Sequence, residues 1–376
     1  MTNSPNSSPE EKLPPEEIGF NVTDPDASIA AAAKGSKPKM SKKKKAVIIT
    51  VSVLLSLSVL LAGTVGILWA TGKASLLGYK VNVSIPDGDS ADTEEDGSRV
   101  QYNGETYVYN KNAVNILFMG IDKSDVTDEK GYGKNGQADS IMVLNFDTKT
   151  GKIKILPISR EIMTDVSMYS AEGNYIGVKR TQLCLAYAYG ANGKESCENV
   201  RQAVSRLLYG VEIGSYIAID MDGVTALADA IGGVRLTPIE TIPESNIKEG
   251  VETVLKGKMI NSYLRSRDQD EEANNRRMLR QKQFIGAFAS QAGNQVLSDI
   301  GKLASFYNKA APYTVTDITL SEVTYIAGCC LTANVGSTIE YGSISGETHL
   351  GEEYMEFTAD RTSLLEAILN TFYLKG

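Results

Sequence analysis

Hydrophobic and polar positions alternate with no single period along this chain, and the changes of period mark its parts. Ala46 to Ala70 runs twenty-five residues without a charge. At 1.5 Å per residue that is roughly 37 Å of helix against a hydrocarbon core of about 30 Å, so the pattern predicts one membrane-spanning helix over 46–70. Lys42, Lys43, Lys44 and Lys45 precede it and only Lys73 closely follows. By the positive-inside rule the N-terminus is expected in the cytoplasm, with the remainder outside and Trp69 at the outer membrane surface. A cleaved signal fits less well, because its apolar region should be about 7–15 residues long and follow a short basic stretch.

Before this helix, residues 1–45 are rich in Pro, Ser, Glu and Lys and poor in aromatics, the composition of a tail without a fold. After it, 71–112 is polar and acidic and reads as a solvated stalk. The periodic pattern resumes at 113 and supports one folded domain over 113–376, or a domain with a subsidiary lobe. Val114 to Gly120 is an apolar run, and Asp139 to Asp147 alternates before the turn 148–151 and a strand over 152–159, which together predict a strand and a hairpin. Helical spacing follows over 183–189 and 197–209. Then come a strand over 216–220, a helix over 223–231 stopped by Gly232-Gly233, and a short strand over 234–237. Helices over 259–265 and 274–292 complete the alternation. Strands interleaved with helices predict an α/β fold, either two-layered or an α/β/α sandwich.

Composition narrows the chemistry. The chain has one histidine, His349, so histidine-based zinc sites and Ser/His/Asp or Cys/His triads have little to work with. The net charge is −8, and because the tail holds eight Lys against six acids, the rest carries −10. That balance argues against general nucleic-acid binding. Gly131, Gly133 and Gly136 match G-x-G-x-x-G but precede a strand instead of opening a helix, so a loop is the better reading. No phosphate-binding P-loop motif is present. Of the four cysteines, Cys184 and Cys197 fit either a bridge or two thiols, whereas the adjacent Cys329 and Cys330 read as free.

Arginine and aspartate remain. Arg160 follows a strand end, Arg265 and Arg267 lie two apart, and Arg276, Arg277 and Arg280 open a helix with Gln281. At i and i+4, Arg277 and Gln281 share one face, and Arg276 and Arg280 share its neighbour. Arginine forks match phosphate oxygens, and Mg2+ is commonly held by one or two carboxylates plus the phosphates of the substrate, a role open to Asp122 and Asp139 at strand edges. The same residues also fit strand-end turns and a salt-bridged surface involving Asp268, Asp270, Glu271 and Glu272. Both readings stand on the residues alone.

The segments VNILFMGIDKS, ADSIMVLNFDTKTGKIKILPISRE, AYAYG, YIAIDMDGVTALADAIGGV and SYLRSRDQDEEANNRRMLRQKQ, in that order behind one membrane helix, resemble the LytR-CpsA-Psr family. The resemblance covers roughly 113–290. It implies a three-layer α/β/α sandwich with a central mixed sheet. It also implies transfer of a glycopolymer, such as a teichoic acid or capsular polysaccharide, from a polyprenyl-pyrophosphate carrier to peptidoglycan at the outer face of the cell membrane. Asp122 and Asp139 would bind Mg2+ or Mn2+, and Arg160, Arg265, Arg267, Arg277 and Gln281 would hold the pyrophosphate, with Arg280, which also matches the motif, as a further substrate-binding residue. Asp139, Arg160, Arg265 and Arg267 would form the catalytic set, Asp139 orienting or deprotonating the acceptor hydroxyl. Membrane lipid is an implied partner, and the carrier's tail needs an apolar groove, for which the helix 223–231 and the apolar side of 274–292 are candidates. Gln137, Glu161 and Asn274 stand where the family often has Arg, Asp and Asp. Competing readings are a phosphatase that cleaves the carrier with water and a non-catalytic protein that binds lipid-linked glycan.

Overall fold

The computed structural model describes residues 63–86, 91–122, 131–266, 273–298, 301–332, 339–351 and 354–376. The tail, most of the apolar run 46–70, and Arg267 lie outside the described residues. Among the described residues no helix is long and apolar enough to cross a membrane.

Helix α1 covers 63–77 and so extends beyond Ala70. Three strands follow, β1 (Ala91–Thr93), β2 (Arg99–Tyr102) and β3 (Glu105–Tyr109), all within the segment expected to be a stalk. Val83, Val100, Tyr102 and Tyr109 are buried in the main core, so this stretch is folded protein and not a solvated spacer. Its acidic residues mislead because Asp92, Glu94, Glu95 and Asp96 all point to water while alternate apolar positions turn inward. The signal was present in Asn103-Gly104, a two-residue loop with φ of 51° and 79° that joins β2 to β3. Both residues there need a positive φ, which Asn and Gly tolerate best.

The central sheet follows from β4 (Ala113–Ile121), β5 (Ala138–Asp147) and β6 (Ile153–Ile158), an antiparallel meander with the expected 148–151 turn. Asp147 closes that turn by accepting the N–H groups of Lys149 and Thr150 at 2.9 and 3.0 Å. Beyond it, β7 (Met163–Tyr169) and β8 (Tyr175–Gln182) pair as a separate hairpin that the periodicity did not reveal. A 3-10 helix (Leu183–Tyr189), α2 (Gly193–Leu207), β9 (Ser215–Asp220) and α3 (Met221–Ala230) come next. The short hairpin β10 (Val234–Leu236) and β11 (Thr253–Leu255) precedes α4 (Lys258–Arg265) and α5 (Ala273–Ser298). The remaining elements are α6 (Gly301–Ala310), β12 (Thr314–Thr316), α7 (Leu320–Thr332), β13 (Ile339–Tyr341), the hairpin β14 (Gly346–Leu350) and β15 (Met355–Ala359), α8 (Arg361–Phe372) and β16 (Tyr373–Lys375). The six-stranded sheet runs β12-β9-β4-β5-β6-β13. It is mixed, since β4 pairs parallel with β9 and β6 parallel with β13. β16 returns to pair with β3.

Strand β4 is buried almost throughout, which explains why its sequence is a continuous apolar run. Its odd positions Leu117, Met119 and Ile121 pack with Val200 and Val204 of α2 and Ile368 and Phe372 of α8. Its even positions Val114 and Ile116 pack with Leu76, Tyr325 and Cys329. A second hydrophobic cluster, including Ile231, Leu255, Tyr263 and Phe284, lies among residues 228–288. Trp69, expected at the membrane surface, lies edge-on to Tyr325 at 5.3 Å between ring centroids. Beside it Ser75 donates to Glu322 at 2.7 Å. All four cysteines are free thiols, so the structure contains no Cys184–Cys197 bridge.

Candidate active site

The site forms where β4 ends and β5 begins. A register shift at Gly120 and Ile121 lets the Asp122 N–H bond the Gln137 carbonyl at 3.1 Å, which brings Asp122 and Asp139 to one end of the sheet. Gly120 faces Ser140 across the ladder, and a Cβ there would lie 3.1 Å from the Ser140 Cβ. Arg160, two residues past β6, is fixed by its own carbonyl, which accepts the Cys184 N–H at 3.0 Å. Its guanidinium pairs with Asp139, donates to Gln137 Oε1 at 2.5 Å and lies 3.6 Å from Cys184 Sγ. The buried Arg160 Nε has no hydrogen-bond partner among the described residues. Burial pushes the Cys184 thiol up, partly offset by Arg160.

From the other side, Arg265, the last residue of α4, reaches Asp122 at 2.6 Å. Arg277 and Gln281, one turn apart on α5, line the same cavity, Arg277 being 5% exposed. The cavity holds about 290 Å³ and is walled by Asp122, Asp139, Arg160, Arg265, Arg277 and Gln281, with Met221 and Leu264 on the apolar side. Three guanidiniums against two carboxylates leave a formal surplus of one positive charge, suited to an oxyanion whose oxygens take bidentate bonds. A narrow, mainly apolar slot of about 40 Å³ lies beside it between β5, β6 and α5, lined by Met142, Pro157, Met278 and Ile285 and sharing Asp139, Arg160, Arg277 and Gln281 with the cavity.

The structure therefore brings together Asp122, Asp139, Arg160, Arg265, Arg277 and Gln281. Arg267 lies outside the described residues. Arg280 is not in the cavity, contrary to the role the resemblance implied. It is 2% exposed, pairs with Glu240, and donates to the carbonyls of Tyr263, at 2.7 Å, and Ser266. Arg276 joins the same carboxylate at 3.2 Å. The two faces of α5 were thus separated correctly by spacing, but one binds Glu240 and only the other meets the cavity. Sequence reasoning missed Glu240, which lies 36 and 40 residues from its two partners and belongs to no motif. It also missed Gln137 and Cys184 as the groups that hold Arg160. The helix Met221–Ala230 does not line the apolar slot. Leu227 of that helix faces a separate cleft of about 750 Å³ beside β12 and β9, and Ala228 is core.

The glycine-containing stretch before β5 is a loop, as expected. Gly131, Gly133 and Gly136 have φ between 77° and 85°. Gly133 N–H bonds the Ala188 carbonyl at 2.7 Å and Asn135 Nδ2 bonds the Gly190 carbonyl at 2.6 Å. His349 sits on the β14–β15 hairpin, 3.4 Å from Glu356, and does not line the cavity.

The profile of the LytR_cpsA_psr family matches residues 78–371. The chain belongs to this family. The match begins within the segment once read as a stalk, in agreement with the strands found there. Among curated members, this LytR_cpsA_psr chain is 28% identical over 256 residues to the polyisoprenyl-teichoic acid–peptidoglycan teichoic acid transferase TagV of Bacillus subtilis, covering 65% of this chain and 60% of that protein. It is 23% identical to TagU of Bacillus licheniformis over 75% of this chain and 81% of that one. The chain spans about three-fifths of the length of several of the curated relatives it matches. Solved structures with the same fold include B. subtilis TagV, with a TM-score of 0.54 at 24% identity over 69% of this chain and 95% of that one. TagT bound to LIIa-WTA gives 0.52 at 16% identity over 70% and 90%. The mixed α/β fold with its central mixed sheet is therefore that of the family.

Proposed function

We propose that this LytR_cpsA_psr chain is a phosphotransferase that moves a glycopolymer from polyprenyl pyrophosphate to peptidoglycan. The observation that carries the reading is the convergence of Arg160, Arg265 and Arg277 with Asp122 and Asp139 around one cavity, with a small apolar slot beside it that shares Asp139, Arg160, Arg277 and Gln281. A pyrophosphate with a lipid on one side needs both environments next to each other. The names of the TagU and TagV relatives, transferases acting between polyisoprenyl-teichoic acid and peptidoglycan, point the same way.

In this reading the arginines hold the phosphate oxygens and stabilise the charge that develops on them. An acceptor hydroxyl attacks the phosphorus that carries the glycan. The new bond is P–O to the acceptor, the bond broken is the pyrophosphate P–O on the lipid side, and polyprenyl phosphate leaves. Asp139, held beside the reacting group by Arg160, receives the hydroxyl proton. Two carboxylates facing one cavity with room for phosphate fit the donor set of a hard divalent cation completed by substrate oxygens. When bound there, Mg2+ or Mn2+ supplies charge neutralisation of the pyrophosphate. The full reading includes a three-layer α/β/α domain outside the cell membrane, tethered by a single helix over 46–70 with the N-terminus inside. The tether raises the effective concentration of the site near a donor confined to the same bilayer.

The test uses the full chain in lipid nanodiscs with a synthetic polyprenyl-pyrophosphate glycan, Mg2+ and purified peptidoglycan. A covalent glycan–peptidoglycan adduct is expected from the parent chain, and loss of it with Arg265→Ala, Asp139→Ala or a chelator. An adduct formed equally well by the variants overturns the mechanism. Release of glycan phosphate into water without an adduct overturns the transferase reading in favour of a phosphatase.

A further inference from the structure

We infer that Tyr132, Tyr169 and Tyr175 form a subsite for a pyranose chain, the glycan of the acceptor; this rests on the transferase reading above. The three rings make a continuous rack. Tyr132 stacks on Tyr169 with centroids 5.6 Å apart and 29° between planes, and Tyr169 meets Tyr175 edge-on, also at 5.6 Å. The rack is built and held. Gly173, with φ of 85°, closes on the Tyr132 ring so tightly that a Cβ would come within 2.6 Å of it. The Tyr132 hydroxyl donates to Glu195 at 3.2 Å, and Glu195 is itself fixed by the Ala191 N–H at 3.0 Å. The turn between the two strands is ordered by Ser170, whose hydroxyl accepts from Glu172 N and Asn174 N at 3.2 and 3.3 Å.

Cross-strand pairing holds Tyr169 against Tyr175 but leaves the outer ring uncovered. Tyr175 is 59% exposed, so the outermost ring offers its surface to water at the end of a stack whose inner members are half-buried. A ring face is electron-rich, and the C–H face of a pyranose presents the electropositive hydrogens that complement it. Hydroxyls around the sugar rim need polar neighbours, and the exposed Glu172 and Asn174 stand beside the rack. The rack also connects to the chemistry. Tyr132 and Gln137 are five residues apart on the pinned 131–137 loop, which at full extension spans at most ~18 Å, and Gln137 accepts a hydrogen bond from Arg160. A glycan lying on the tyrosines is therefore within a few sugar rings of the phosphate cavity. On the opposite face of the same strand, Ile176 and Val178 are exposed aliphatics, and they make a lipid surface the competing occupant for this hairpin.

The experiment measures binding of soluble glycan strands of alternating N-acetylglucosamine and N-acetylmuramic acid to the full chain in nanodiscs, with no donor present. Tyr175→Ala is expected to weaken binding about tenfold, equivalent to ~1.4 kcal/mol, while Tyr175→Phe retains it and both variants keep the parent melting temperature. In the transfer assay Tyr175→Ala should raise KM for the acceptor and leave kcat and the donor KM unchanged. Equal strand affinity in the parent and Tyr175→Ala overturns the subsite. So does a loss seen only against added anionic phospholipid vesicles, which would assign the hairpin to a lipid surface. Tyrosine-dependent strand binding by a chain that makes no adduct would sink the transferase reading but support the glycan subsite. Transfer with an unchanged acceptor KM in Tyr175→Ala would do the reverse.

Discussion

Arg265 and Arg280 lie fifteen positions apart in one basic stretch, and the structure predicts that their replacement by alanine fails in opposite ways. The Arg280 guanidinium is 2% exposed and bound on three sides, to Glu240 and to the carbonyls of Tyr263 and Ser266. Truncation leaves two carbonyls without their donor, at about 1 kcal/mol each, and breaks a buried pair, which by itself commonly costs about 3–5 kcal/mol. Because Glu240 is partly exposed and keeps Arg276 at 3.2 Å, the pair's share falls to about 1 kcal/mol, for a total of about 3 kcal/mol, or a fall of roughly 6–12 °C in Tm. The Arg265–Asp122 pair is half exposed, at 56% and 47%, so its loss should cost no more than about 1 kcal/mol. Its guanidinium faces the cavity, however, and removing one such donor to developing charge typically lowers turnover by about 10²–10³-fold. Thermal melts followed by circular dichroism, paired with the adduct assay on the same full-length preparations, separate the two effects. The reasoning fails if Arg265→Ala melts as low as Arg280→Ala, or if Arg280→Ala melts within about 2 °C of the parent, less than ~1 kcal/mol.

Further outcomes follow from other contacts. Arg160→Lys replaces a fork that spans Asp139 and Gln137 by a point charge, so transfer should fall about a hundredfold with the fold intact; unchanged kcat would remove Arg160 from the site. Gly72→Val places a Cβ only 2.0 Å from the Ser321 carbonyl oxygen, so helix 63–77 should lift from α7 at a cost of about 1–3 kcal/mol. Limited proteolysis near 78–86 reads this out, and protease resistance equal to the parent contradicts the packing. Burial raises the Asp147 carboxyl, but bonds from Asn110 and the backbone of Thr150 and Lys149 outweigh it and hold the group below its ordinary value. A lowered folded value means stability that is present above the unfolded value of about 4 and lost as pH falls through the folded one. Asp147→Asn should therefore narrow the gap between urea midpoints at neutral and acidic pH, and an unchanged gap would show that this carboxylate is not responsible for it.

Much of the fold was legible because its signals are local. The meander of β4, β5 and β6, the helix stopped at Gly232-Gly233 and the face-sharing of Arg277 with Gln281 all come from periods of two or 3.6, which any short window contains. The β2–β3 hairpin was legible too, in Asn103-Gly104, but the acidic cluster before it masked the alternation. Asp122, Asp139, Arg160 and Arg265 were found as chemistry-bearing types at strand and helix ends. Their meeting in one cavity was not a property of any of those segments.

That meeting depends on a register shift at Gly120, the return of α4 and α5 over the sheet end, and the carboxylates each long guanidinium finds within reach. Arg277 and Arg280 are neighbours of identical chemistry. One lines the cavity and the other is a strut only because Glu240 and the carbonyls of Tyr263 and Ser266 happen to surround the second. Sequence by itself determined the meander, the helices that carry the arginines and which side chains bear charge, since propensity and periodicity act over a few residues, while the β7–β8 hairpin was not among them. Tertiary structure alone decided which charges are satisfied within the fold and which are left facing the cavity, since hydrogen bonds act over about 3 Å and their partners lie tens of residues apart in the chain.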